Sequence, residues 1–330
     1  MTLKNLRGKI LLSLLLGIGV VIVLGLFSDI RAVGASFGAF DWTTLPLILG
    51  FTLLNYFLRW LKWDYYLRRL QQGHGVHYGD SALIFTAGLV MSVTPGKVGE
   101  VFKSYLLRRV NGTAISLSAP IVLAERLTDG IAMLLLMALG LTLYPAARPL
   151  FIVLVALTML GIAVVQNRPL CERLFALVAR TPFGDKIAPR FTTLYGSTTK
   201  LLDWRILVPS TVLSLISWGF ECIAFYYVLI GLQVTDSGLL LLQATFIFAA
   251  STLFGLVSLI PGGLGVSEVS SAGLLIAIVS MSSSAATTAT IIIRFGTLWF
   301  GVILGVLALT WFGQRYRGAA QLESAGAEPL

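Results

Sequence analysis

Three stretches of this chain, residues 10–27, 42–58 and 130–147, run 18, 17 and 18 residues without a single charge. Each is long enough to cross, or nearly cross, a hydrocarbon core of about 30 Å. Inside such a core a segment must satisfy its own backbone polar groups, which leaves the helix as the form for an isolated apolar run. The rest of the composition agrees: 57% of residues are apolar and only 12% charged, too little charge to cover a soluble chain of 330 residues. The expected fold is an all-α integral membrane protein.

The net charge of +9 (24 Lys and Arg against 15 Asp and Glu) falls mostly in the intervals between apolar runs. There the cations set orientation and touch anionic lipid, so no nucleic-acid partner is expected. Cys171 and Cys222 are too few for a disulfide framework, and His74 and His77 stand alone in a polar stretch. No metal or other cofactor is expected.

With Lys4, Arg7 and Lys9 placed inside, the first run (about 10–27) leads out as a retained helix rather than a cleaved signal, and 28–41 is external. A second helix (about 43–60) returns to a basic loop holding Arg59, Lys62, Arg68 and Arg69. The 81–95 stretch is short for a span, ends on Pro95-Gly96, and is followed by a second short helical stretch at 98–110. The pair is expected to dip in from the cytoplasm and come back as a re-entrant hairpin. A third helix spans about 120–144 with Pro120 in its first turn, and a fourth about 149–165. Residues 166–205 form a basic cytoplasmic loop in which 168–180 has the spacing of a surface helix. A fifth helix (about 206–230), a second interrupted pair (239–261 and 265–280) and a sixth helix (about 286–312) follow. The tail from 318 to 330 is polar and expected to be disordered, and both termini come out cytoplasmic. This makes residues 1–317 one transmembrane domain of about six spans and two hairpins, with half-repeats at about 10–145 and 149–312.

The repeat is carried by the two interrupted pairs. TPGKVGEVFKSYLL (94–107) and IPGGLGVSEVSSAGLL (260–275) share Pro-Gly, then Gly, then Glu-Val, then Leu-Leu. Arg126 follows Glu100 by 26 residues, and Arg294 follows Glu268 by 26. Three spans separate the copies, so the second hairpin should enter from the opposite face. Inverted halves of this kind bring broken helices together at a midplane site.

Charges inside spans are costly, at roughly 2.5–3.5 kcal/mol each on insertion scales, and so mark partners or function. Glu125, Arg126 and Asp129 cluster early in the third helix, and Arg126 and Asp129 share a face. Glu221 lies well inside the fifth helix; it and Glu268 are the candidate partners of Arg294. A helix starting after Pro95-Gly96 offers free N–H groups and a positive dipole end to an anion, with Lys97, Glu100, Lys103 and Ser104 on one face. At the second tip Gly262, Gly263 and Gly265 allow close backbone approach, with Glu268 and Ser271 beyond. The competing reading is structural: glycine turns, with Glu–Arg pairs locking hairpin to helix. Both can hold together. No nucleophile–His–acid set, phosphate loop or metal spacing is present in the sequence.

P-G-x-x-G-E at 95–100 with basic residues after it, E-R-x-x-D at 125–129, P-G-G-x-G-x-x-E at 261–268 and the late Arg294 together resemble the lysylphosphatidylglycerol synthase transmembrane region. Arg59-Trp60 with Lys62 is similar to that family too. The resemblance covers roughly residues 5–315. By position, Pro95, Gly99, Glu100, Glu125, Arg126, Asp129, Pro261, Gly262, Gly265, Glu268 and Arg294 match its pattern. The family implies movement of lipids between leaflets, aminoacylated phosphatidylglycerol or glycolipid, hopanoid and polyprenyl-linked types. Full-length synthases add a soluble domain that uses charged tRNA, which the short loops and polar tail here do not supply, so lysyl transfer is not expected.

The expectation is therefore a flippase-like lipid transporter of a bacterial inner membrane, with a lipid synthase or glycosyltransferase as possible partner. The alternatives are a lipid-modifying enzyme, a membrane component of a lipid-modifying or glycosyltransferase system without transport of its own, and a small-solute carrier.

Overall fold

A computed structural model describes residues 29–92, 100–179, 191–258 and 260–316, and every regular element among them is a helix. The first apolar run and the residues from 317 onward therefore lie outside the described residues. In chain order the helices are α1 (Ile30–Ala39), α2 (Leu45–Arg69), α3 (Tyr78–Gly88, tightened at its end into a 3-10 turn over Leu89–Met91), α4 (Phe102–Asn111), α5 (Ile115–Leu139), α6 (Arg148–Gln166) and α7 (Arg168–Ala179). They continue with α8 (Phe191–Leu201), α9 (Trp204–Gly231), α10 (Leu240–Val257), α11 (Val266–Val279), α12 (Ser283–Arg294), a π turn at Phe295–Trp299, and α13 (Phe300–Arg315).

Local chemistry sets several of these boundaries. Asp29 caps α1 by accepting from Arg31 N at 2.9 Å, and Asp203 caps α9 by accepting from Arg205 N at 2.8 Å. Gly112, at φ 76°, ends α4 in the left-handed conformation that glycine adopts without penalty. Arg68 and Arg69 occupy the last turn of α2, where cations oppose the negative end of the helix dipole.

Among the described residues five helices are long and apolar enough to cross a membrane: Trp42–Arg69, Pro145–Gln166, Trp204–Gly231, Leu240–Val257 and Ser283–Arg315. Tyr78–Met91 and Val266–Val279 are shorter apolar helices. With α5 bearing its cluster of charges, this is an all-α integral membrane protein.

Several boundaries differ from the sequence expectation, each for a physical reason. Residues 30–39, within the stretch expected between the first two spans, form a short helix that Asp29 caps. The second helix does not stop near 60 but runs to Arg69, which carries Lys62 out of the expected loop and into the interior, where it is 1% exposed. The third begins at Ile115, so Pro120 sits inside it and not in its first turn. A further helix, α8, packs on α5 within the stretch expected to be loop. The sixth helix is divided by the π turn immediately after Arg294. The first arm of the second pair, α10, has 18 residues against 11 for α3, so the two interrupted pairs are unequal.

The halves pack reciprocally. α2 lies along α9, α3 of the first half lies on α13 of the second, and α10 of the second lies on α5 of the first. Close backbone approach makes each contact possible. A Cβ on Gly305 would stand 2.4 Å from Val90 N, and one on Gly140 would stand 2.5 Å from Phe246 Cβ. Asn55 of α2 donates to both the carbonyl and the hydroxyl of Ser217 in α9, each at 2.9 Å, and the Ser217 hydroxyl donates back to Asn55 O at 3.2 Å. One large core joins α5, α9 and α10 around Met137, Phe225 and Phe246; a second surrounds Trp63, Tyr66, Leu107, Ile121 and Phe312.

Candidate functional site

In the first half six charged residues pair among themselves. Lys62 Nζ lies 2.5 Å from Asp129 Oδ1 and donates to Ser214 Oγ at 2.6 Å. Lys103 Nζ lies 2.5 Å from Glu125 Oε2, between the faces of Trp63 and Phe85 at 4.5 and 5.3 Å. Arg126 reaches Glu100 at 3.0 Å and Asp129 at 3.2 Å. Three cations and three acids therefore interleave, and their formal charges cancel. Such buried pairs recover their desolvation cost only with good geometry and added hydrogen bonds, which Ser214 and Thr128 supply to Lys62. Gly88 makes room for this network: a Cβ there would lie 2.4 Å from Lys103 Cγ.

The second half has a smaller version. Glu268 accepts from Gly265 N at 2.6 Å, capping α11, and its other oxygen accepts from Arg294 Nε at 2.5 Å. Arg294 also donates to Gly262 O at 2.7 Å. Gly262, Gly263 and Gly265 have φ of 62°, 67° and 86°. A Cβ on Gly255 would lie 1.9 Å from Ser267 Oγ, so the tip folds tightly onto α10. The N–H of Gly265 is thus held by Glu268 and is not free for a ligand. Both Glu–Arg pairs separated by 26 residues are ion pairs, and Arg294 takes Glu268 rather than Glu221.

Between the halves lies a cavity that opens outward. Its walls bring together Tyr56 and Arg59 of α2, Glu100 just before α4, Trp218 and Glu221 of α9, Ser251 of α10, Gly262, Ser267 and Ser271 beside the second tip, and Thr290 and Arg294 of α12. Glu221 is 1% exposed, its Oε2 has no hydrogen-bond partner, and among the described residues it forms no ion pair. Arg59 stacks over the Trp218 ring at 5.3 Å and also forms no ion pair among the described residues. The cavity therefore offers one acid and one cation not already bound to each other's kind, beside Glu100 and Arg294 at its margins. That arrangement suits a polar, charged ligand.

Of the residues picked from sequence, Glu100, Glu221, Gly262 and Arg294 line the cavity, and Glu268 and Gly265 stand directly behind Arg294. Lys103 pairs with Glu125, and Asp129 pairs with Lys62 and Arg126; none of Lys103, Glu125 and Asp129 lines it. Arg126 sits one ion pair away, behind Glu100. The side chain of Pro261 and all of Pro95, Gly96, Lys97 and Gly99 lie outside the described residues. Arg59, Tyr56 and Trp218 were missed, as was the buried position of Lys62. A signal was available: Asn55, Arg59, Lys62 and Tyr66 follow helical spacing along one face of an otherwise apolar run.

Fold and site together define a polytopic helical membrane protein whose halves enclose buried charge. The chain belongs to the lysylphosphatidylglycerol synthase TM region family, whose sequence profile matches residues 10–305. Among curated proteins it is similar to a UPF0104 membrane protein of Methanothermobacter thermautotrophicus, 25% identical over 316 residues and 90% of each chain. A second UPF0104 membrane protein of that organism is 25% identical over 296 residues, covering 82% of this chain and 85% of the relative.

Proposed function

We propose that this protein is a flippase-like lipid transporter, moving a phospholipid or another anionic or isoprenoid-linked lipid between leaflets. The head group occupies the cavity between the halves while the acyl chains stay in the bilayer. The observation that carries this reading is the cavity wall itself, where the buried Glu221 and the half-buried Arg59 form no ion pair among the described residues, while Glu100 and Arg294 beside them are each held in one. A buried acid outside any ion pair is costly in a spanning helix unless a cargo meets it. In this reading the two interrupted pairs enter from opposite faces of the membrane, both termini are cytoplasmic, and the membrane is the cell membrane. The reciprocal packing of α3 on α13 and α10 on α5 supports it. The chain itself carries out no lysyl transfer, and a lipid synthase or glycosyltransferase supplies the cargo.

The test is translocation of fluorescent phospholipids in proteoliposomes. Arg59→Ala combined with Glu221→Gln should abolish movement while the protein keeps its melting temperature. Undiminished translocation in that folded variant removes the cavity from the pathway. No translocation by the wild type with any of several phospholipid and isoprenoid lipids rejects the transporter reading.

A further inference from the structure

A second opening lies on the outside of the bundle, between α5, α6 and α10. It is lined by Leu134, Leu157 and Leu253, by Gly130 and Gly161, and by one charged residue, Arg126, at its inner end. Among the described residues nothing stands within 4 Å of where a Cβ would be on Gly130 or Gly161, so the two glycines leave the groove open. α6 bounds it without closing it, since only 6% of its apolar window is buried.

Arg126 connects this groove to the central cavity. It lines the groove, its partner Glu100 at 3.0 Å lines the cavity, and the ion pair between them is the partition. The Arg126 side chain is 16% exposed, and its Nε is buried and has no hydrogen-bond partner among the described residues. One donor of the guanidinium is therefore unspent where the apolar groove meets the polar cavity.

We infer that the groove between α5, α6 and α10 is an acyl-chain site, holding one chain of a phospholipid whose ester or phosphate oxygens meet Arg126. This rests on the transporter reading above and gives its cargo a lateral way in. Along α5 the groove runs from Arg126 to Leu134, about 12 Å at 1.5 Å per residue. Its lining is otherwise apolar, and its single cation sits where a lipid's polar end would stop.

Native mass spectrometry of the full chain released from detergent tests this with dioleoyl phosphatidylglycerol and, separately, with the chain-free head group glycerophosphoglycerol. The lipid should bind one to one and the head group alone should not. Gly130→Phe with Gly161→Phe should weaken lipid binding by about tenfold or more, while Met159→Phe, elsewhere on α6, leaves it unchanged. Equal binding by the filled variant overturns the inference, as does a dimer that the same substitutions dissociate. Should the filled variant fail to fold, a diazirine-bearing acyl lipid decides on the wild type. Adducts at Leu157 and Leu253 are expected, and labelling confined to outward Ile152 and Val153 overturns the site. The readouts are separable: a chain that holds lipid here yet moves none defeats the transporter reading alone, and movement without occupancy defeats the groove alone.

Discussion

Arg294 Nε stands 2.5 Å from Glu268 Oε1, and the same guanidinium donates to Gly262 O at 2.7 Å. One side chain on α12 thereby fixes both the second tip and the start of α11. Glu268 answers by capping Gly265, so three segments share a single buried charge pair.

Removing one partner of that pair should be severe. Arg294→Ala leaves Glu268 buried with only a backbone donor, and the loss should be about 3–5 kcal/mol. A melting temperature in detergent unchanged from wild type would contradict this. Arg294→Met together with Glu268→Met should recover much of the loss, because a paired apolar replacement carries no stranded charge.

Gly88→Ala should destabilise by about 1–3 kcal/mol, since its Cβ would meet Lys103 Cγ at 2.4 Å in a packed interior. Gly79→Ala, with open space around its Cβ in the same helix, is the control and should leave the melting temperature level or slightly higher. Urea or thermal denaturation of the two variants side by side reads the difference.

Asn55→Ala removes the two 2.9 Å bonds to Ser217 that join α2 to α9, and leaves the buried Ser217 carbonyl and hydroxyl short of a donor. A loss of about 1–3 kcal/mol is expected. Asn55→Asp should be worse than Asn55→Ala, because it faces the same carbonyl with an acceptor. The order of the two melting temperatures checks the assignment.

The charged network and the cavity should separate in function. Lys62→Met strands Asp129 with Arg126 alone and should reduce the yield of folded protein, whereas Arg59→Ala, which breaks no ion pair, should not. Size-exclusion profiles of the two variants compare them before any transport is measured. A misfolded Arg59→Ala would make Arg59 a structural residue.

The sequence revealed the class of fold and the charged pairs better than it revealed the wall of the cavity. Apolar runs without charge leave few alternatives to spanning helices, and the two 26-residue Glu–Arg separations proved to be ion pairs. Lys62 and Arg59 were obscured because they sit near other cations at the end of a helix, where a basic cluster ordinarily lies in a loop. Helix length settled their place: α2 continues to Arg69, so both remain inside its regular part. Lys103 shows the opposite limit. Its position beside a tip suggested a ligand, but an anion on α5, Glu125, takes its charge, and a contact between distant segments leaves no trace in local spacing.

The π turn at Phe295–Trp299 has a consequence for how the last helix is oriented. By widening one turn directly after Arg294 it changes the angular phase of everything downstream. With that phase, Gly301 meets the Tyr56 hydroxyl and Gly305 meets the backbone of Val90, while Arg294 still points at Glu268. The Tyr56 hydroxyl donates to Thr297 O at 2.6 Å within that same loosened turn. Deleting a single residue there would rotate α13 by about 100° at 3.6 residues per turn and aim bulkier side chains at both glycine contacts. The irregularity works as a phase adjuster, letting one continuous rod serve two partners whose contact faces are out of step.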